Sequence, residues 1–224
     1  MEATSQACVK SLVRYAARRT LGSVRGEGGP LRVPSLPRRR RLFLAQDGKD
    51  GQMDILVLVA YATKYGATAE IAEKIGQVLR QAGLRTDVLP ANRVSDLTPY
   101  KAVVLGSAVY IGQWRKEAAT FLKANEKALA ERPVWLFSSG PTGEGNPVQL
   151  MKGWRFPKAL QPIADRIHTR DIAVFHGALD PKKLNVLEKW MIKNVKAPLG
   201  DFRDWNAINA WASAISDALL QETP

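Results

Sequence analysis

The stretch Ile55-Leu56-Val57-Leu58-Val59-Ala60-Tyr61 is apolar along its whole length, and Ala62-Thr63-Lys64-Tyr65-Gly66-Ala67-Thr68 follows it at once. A short apolar run rich in β-branched residues, without polar alternation, fits a strand buried on both faces of a parallel sheet. From about Ala69, apolar residues recur as Ile71, Ala72, Ile75, Val78, Leu79 and Ala82, the stripe of an amphipathic helix. Thr68 stands in the N-cap position, Glu70 in the first turn and Gly83 just past the end. A strand that feeds directly into a helix leaves N–H donors and the positive end of the helix dipole at the loop. With the Thr63 and Thr68 hydroxyls beside them, that loop suits a phosphate group.

The alternation continues to the end of the chain. Strands are expected at 85–89, 102–106, 134–138 and 172–175, and helices at 115–130, 158–167, 181–195 and 205–220. A Gly- and Pro-rich irregular segment fills 140–157. Five strands separated by helices predict an α/β fold, a doubly wound parallel sheet with helices on both faces. The last helix should bury Ile208, Trp211, Ala212, Ile215 and Leu219, and Trp135, Trp190 and Trp205 read as packing residues too.

Residues 1–52 differ in kind. They carry 11 Lys and Arg against 4 Asp and Glu, with several prolines and no sustained apolar period, so they are expected to be a disordered basic leader. The Arg-rich, acid-poor stretch around Ser11–Arg19 is like an organellar transit peptide. Met53 stands two residues before the first strand, so an over-long start is the simpler alternative and the preferred one. The folded domain is then 53–224. The run Arg38-Arg39-Arg40-Arg41 lies in the leader and reads as a solvated tail rather than a nucleic-acid surface. Cys8, the single cysteine, lies there as well, which excludes a disulfide framework or cysteine metal site in the domain. No apolar run approaches the roughly 18–20 residues of a membrane span. The expected location is the cytoplasm, with peripheral contact at the inner face of the membrane as an addition.

Ligands of open α/β sheets sit beyond the carboxyl ends of the strands. Three strand ends carry suitable loops: Thr63–Thr68, Gly106–Trp114 and Ser138–Gly143. The middle loop joins small residues, which permit close backbone approach, to Tyr110 and Trp114, which can stack on a flat ring. The first loop is neither a Gly-x-Gly-x-x-Gly fingerprint nor a Walker loop. A mononucleotide with one phosphate and a flat ring, such as FMN, fits better. His168 and His176 have no cysteine or paired acid nearby, so no metal site is expected. Ser138 and Ser139 lack a histidine–acid pairing, and no catalytic side chain is identified.

These residues resemble the flavodoxin-like FMN proteins. Thr63-x-x-Gly66-x-Thr68 matches their phosphate loop, with Tyr65 where many of them carry threonine. The loops starting at Gly106 and Ser138 match the two that flank the isoalloxazine. Gly106–Gly112, Gly177-Ala178-Leu179, Trp190-Met191-Ile192-Lys193 and Asp204-Trp205 are most similar to the menaquinone-dependent protoporphyrinogen dehydrogenases. The resemblance implies strand order 2-1-3-4-5 and FMN as cofactor. It implies that Thr63, Lys64, Tyr65, Gly66, Ala67 and Thr68 hold phosphate, while Ser107, Tyr110, Gly112, Trp114, Ser139 and Gly140 frame the flavin. It also implies a heme-biosynthesis oxidoreductase, with a porphyrinogen-like substrate and a quinone or redox protein as partners. A flavodoxin-type electron carrier is the alternative.

Charge separates the two. Flavodoxin carriers are acidic as a family, whereas residues 182–196 hold Lys182, Lys183, Lys189, Lys193 and Lys196 against Glu188 alone. Leu184, Leu187, Trp190, Met191 and Val195 interleave them. Such a helix suits an anionic membrane surface, or packs on the sheet with its lysines solvated. Met151–Lys158 repeats the basic-aromatic mixture and is expected to cover a substrate.

Overall fold

The computed structural model describes residues 55–183, 190 and 198–222. The expectations for residues 1–52, and for most of the 181–195 helix, lie outside them. Strands β1 (Leu56–Ala62), β2 (Arg85–Pro90), β3 (Ala102–Tyr110), β5 (Val134–Ser139) and β6 (Asp171–Phe175) form a parallel sheet in the order β2-β1-β3-β5-β6. This is the expected 2-1-3-4-5 order, because β4 (Gln113–Trp114) is a short antiparallel addition to β3. Helices α1 (Ala67–Gln81), α2 (Lys116–Ala124), α3 (Glu126–Ala130), α4 (Pro147–Leu150), α5 (Gln161–Arg166) and α6 (Trp205–Gln221) complete the fold. No helix among the described residues is long and apolar enough to cross a membrane.

The apolar strands are buried twice over. Val57 and Val59 of β1, Val104 of β3 and Phe137 of β5 share a core with α1 and α6. Their neighbours Leu58, Ala60, Val103, Leu105 and Leu136 share the opposite core with α2, α3 and α5. Alternate side chains of one strand thus reach different cores, which is why these segments show no polar alternation.

Helix ends follow local chemistry. At the end of α1 the Gly83 N–H donates to the Arg80 carbonyl and the Leu84 N–H to the Leu79 carbonyl. Gly83 takes φ +91°, so the end is a Schellman motif. Asp204 caps α6, its carboxylate accepting from the N–H groups of Asn206 and Ala207 at 2.9 and 3.0 Å. The single helix expected at 115–130 is two: Asn125, at φ −110° and ψ 16°, ends the first, and its side-chain Nδ2 and its own N–H both donate to the Phe121 carbonyl, at 2.8 and 3.1 Å.

Tyr100 closes the far end of the sheet. It is buried, its hydroxyl donates to Asp87 Oδ2 at 3.0 Å, and Arg132 Nη1 donates to its carbonyl at 2.8 Å. Burial, with the Asp87 carboxylate beside it, pushes the Tyr100 phenol from 10.0 up to about 12. The folded state therefore keeps a proton that the unfolded chain loses. The contribution is complete below pH 10 and disappears as pH rises through about 12. Denaturant unfolding of wild type and Tyr100→Phe across pH 9–12 checks this: stability of the wild type falls more steeply, and the gap between the two narrows with pH.

Candidate functional site

The carboxyl ends of β1, β3 and β5 lie side by side, with Ala62 paired to Ser107 and Ala108 to Ser139. The loop after β1 is closed by the Thr63 hydroxyl, which accepts from the Gly66 N–H at 3.1 Å. Gly66 takes φ +99° and is itself the N-cap of α1, which starts at Ala67 without a side-chain cap. Thr68, expected as the cap, is instead buried within the first turn. The left-handed glycine turns the chain tightly enough for the helix to begin early. Among the described residues, the first turn of this 15-residue helix thus opens on the edge without a side-chain cap hydrogen bond, the chemistry an anionic group needs.

The middle loop is a hairpin. Strand β3 runs on to Tyr110, four residues past its expected end, and Val109 pairs with Trp114 and Tyr110 with Gln113. Ile111 and Gly112 make the two-residue turn with φ +51° and +68°, both in the region such hairpins require. The tip meets the first loop: the Tyr65 and Tyr110 rings stand edge to face at 6.4 Å. Lys64 Nζ lies 4.9 Å from each ring centroid, a cation–π clasp.

Two of the expected flavin-framing residues turn inward. Ser107 is fully buried; its hydroxyl accepts from the Arg115 N–H and donates to the Ala108 carbonyl, both at 2.9 Å. Trp114 is buried against Phe156, with ring centroids at 4.8 Å. Its Nε1–H donates to Ser138 Oγ at 2.9 Å, and Ser138 donates in turn to the Arg155 carbonyl at 3.0 Å. Hairpin pairing sets these directions, since alternate residues of a strand face opposite sides. Met151–Lys158 is pinned by the same contacts, with Phe156 in the core and Arg155 Nη2 donating to the Ile172 carbonyl at 2.8 Å.

Ser139 is buried at the end of β5, and a Cβ on Gly140 would come within 3.1 Å of Val109 Cβ. The loop beyond is held by His176, a buried residue that β6 carries just past its end. Its Nε2 lies 2.8 Å from the Gly145 carbonyl and its Nδ1 3.3 Å from that of Pro141. A two-stranded ribbon of β7 (Ala178–Leu179) and β8 (Gly200–Asp201) then returns toward α1. Between ribbon and helix lies a cavity of about 330 Å³ lined by Tyr65, Ala67, Glu70, Asp180, Asp201 and Arg203, among others. Trp190, expected as a packing residue, is 60% exposed and belongs to neither core.

An open parallel sheet with three glycine-bearing loops at one edge is the architecture of several families, and the sequence decides among them. The profile of the flavodoxin domain matches residues 58–206. The chain belongs to the flavodoxin domain family. Protoporphyrinogen IX dehydrogenase (quinone) of Escherichia coli strain K12 is 23% identical over 174 residues, 71% of this chain and 93% of that enzyme. Rubredoxin oxygen:oxidoreductase from Desulfovibrio gigas shares the fold with a TM-score of 0.50 and 12% identity, over 74% of this chain and 36% of that protein. A WrbA-like flavodoxin from Agrobacterium tumefaciens has a TM-score of 0.47 and 14% identity, over 75% of this chain and 99% of that one. The flavodoxin domain implies a bound flavin and a role as oxidoreductase or electron carrier.

Proposed function

We propose that this flavodoxin domain is an FMN-dependent dehydrogenase that passes electrons from a porphyrinogen-like substrate to a quinone. The observation that carries the reading is the likeness to the quinone-linked dehydrogenase, which runs over 93% of that enzyme's length. The uncapped start of α1 and the left-handed Gly66 fit the phosphate of FMN. In this reading Thr63, Lys64, Tyr65, Gly66, Ala67 and Thr68 form the phosphate loop, and Tyr110, Gly112, Ser139 and Gly140 border the ring. Ser107 and Trp114 act from behind by fixing the hairpin. Bound flavin supplies the electron-accepting chemistry; the chain binds, orients and shields it.

Charge directs the substrate. The cavity between ribbon and α1 carries the three carboxylates of Glu70, Asp180 and Asp201 against the single cation of Arg203, and this negative excess repels an acidic porphyrinogen. Lys152, Arg155 and Lys158 are exposed on the segment whose Phe156 packs against Trp114 of the hairpin, and there the substrate's carboxylates are attracted. Trp190, exposed within the basic segment 182–196, supports contact with an anionic membrane, where quinones reside.

The test is anaerobic mixing of the FMN-loaded chain with protoporphyrinogen, followed by a menaquinone analogue. Flavin absorbance is expected to bleach rapidly and to return with the quinone. A yellow protein inert to both reagents leaves the electron carrier as the account of this domain.

A further inference from the structure

The cavity beside α1 holds a buried cation that the phosphate-loop residues do not include. Arg203 lies between β8 and α6, and its side chain is only 8% exposed. Its Nη1 donates to Glu70 Oε2 at 2.7 Å, and its Nε and Nη2 donate to the Asp201 carboxylate at 2.8 and 2.6 Å. Nη1 also lies 3.4 Å from the Ala67 carbonyl, within the first turn of α1, and the guanidinium stacks 4.6 Å from the Trp205 ring centroid. Five donors in a rigid fork, with contacts on α1, β8 and α6, make this arginine a rivet between ribbon and helix start.

Its position poses a question of charge. Glu70 is the acidic residue of the first turn of α1. A carboxylate there suits the helix dipole while the helix end is empty. It opposes a second anion at the same end, since like charges a few ångströms apart repel even though the Glu70 side chain is 55% exposed.

We propose that Arg203 is a positioning residue of the phosphate site: its one positive charge, shared with Asp201, offsets Glu70 and ties the β7–β8 ribbon to the first turn of α1, so that this helix start accepts a phosphate dianion. The inference rests on the FMN reading above and deepens it. Because Arg203 acts through Glu70, it distinguishes flavins that carry a phosphate from those that do not. The phosphate-bearing FMN feels the Glu70 charge; riboflavin, which has the same ring and no phosphate, does not. The local charge count then orders the affinities for FMN. Glu70→Gln removes one negative charge, Arg203→Met removes one positive charge, and the double variant restores the wild-type sum.

The test is titration of the full chain with FMN and with riboflavin, followed by flavin fluorescence, for wild type, R203M, E70Q and R203M/E70Q. FMN binding is expected to weaken about tenfold or more in R203M and to tighten several-fold in E70Q, as one added or removed charge predicts. The double variant returns to within about threefold of wild type, and riboflavin affinity moves less than about twofold throughout. E70Q keeps every buried positive charge in place and serves as the test if R203M does not fold. Equal loss of both flavins in R203M, no rescue in the double variant, or an E70Q that binds FMN no better than wild type overturns the proposal. A wild-type chain that takes up no FMN overturns it together with the functional reading; normal wild-type uptake with an unaltered R203M overturns it alone.

Discussion

Replacing Gly106 by alanine is expected to destabilise the domain by about 3 kcal/mol or more, lowering the melting temperature by roughly 10 °C. Gly106 of β3 is directly opposite Phe137 of β5, and the phenyl ring lies over it. A Cβ there would sit 1.9, 2.1 and 2.4 Å from three ring atoms. The ring has no room to withdraw: Phe137 is fully buried, with Phe175 and Trp211 at centroid distances of 5.8 and 6.1 Å. Aromatic-over-glycine pairing across strands is a packing solution that one methyl group undoes. Thermal melts of G106A and of G106A with Phe137→Leu check the cause. The smaller side chain should recover part of the loss, and a G106A protein melting within a degree or two of wild type contradicts the overlap.

The second large effect concerns the loop after β1. Gly66→Val is expected to weaken FMN binding about 100-fold, on the order of 3 kcal/mol, while leaving the sheet folded. Gly66 holds φ +99° as the N-cap of α1, a conformation a β-branched residue adopts only with strain. Relief of that strain rotates the Gly66 N–H away from the Thr63 hydroxyl and misplaces the first turn. The unfolding midpoint should fall by much less than in G106A, because both cores lie elsewhere. Circular dichroism together with an FMN titration separates loss of the loop from loss of the fold. Retained wild-type affinity in a folded Gly66→Val chain would show that the loop geometry does not hold the cofactor.

The sheet was legible because β1, β3 and β5 are buried on both faces, leaving uninterrupted apolar runs such as Ile55–Tyr61. Helix α1 announced itself by its stripe and by Gly83, yet its start was misplaced by two residues. The hydroxyl of Thr68 has the chemistry of a cap, and only the left-handed Gly66 reveals that the turn is already complete. The hairpin after β3 was hidden for a similar reason. Its turn is Ile111-Gly112, and isoleucine at positive φ carries none of the Asn or Asp signal that marks such turns. Once Val109 pairs with Trp114, the tryptophan must face the core, so a ring that composition suggested for stacking becomes a strut against Phe156 and Ser138. Arg203 lay beyond sequence reading altogether. Its partner Glu70 is 133 residues away, and no local period connects a charge before the last helix to the first turn of the first. In the string Asp201-Phe202-Arg203-Asp204-Trp205, Asp204 caps α6 and Trp205 carries the ring beneath the guanidinium.

The measurement that bears most directly on the account is a fluorescence titration of the purified full chain, freed of flavin, with FMN and riboflavin in parallel. The phosphate loop predicts saturable one-to-one FMN binding, a yellow complex, and markedly weaker binding of riboflavin, since the helix start and its loop act on the phosphate. A folded chain that binds neither flavin, or both equally, would contradict the assignment of Thr63–Thr68 as the cofactor's anchor and the oxidoreductase reading built on it.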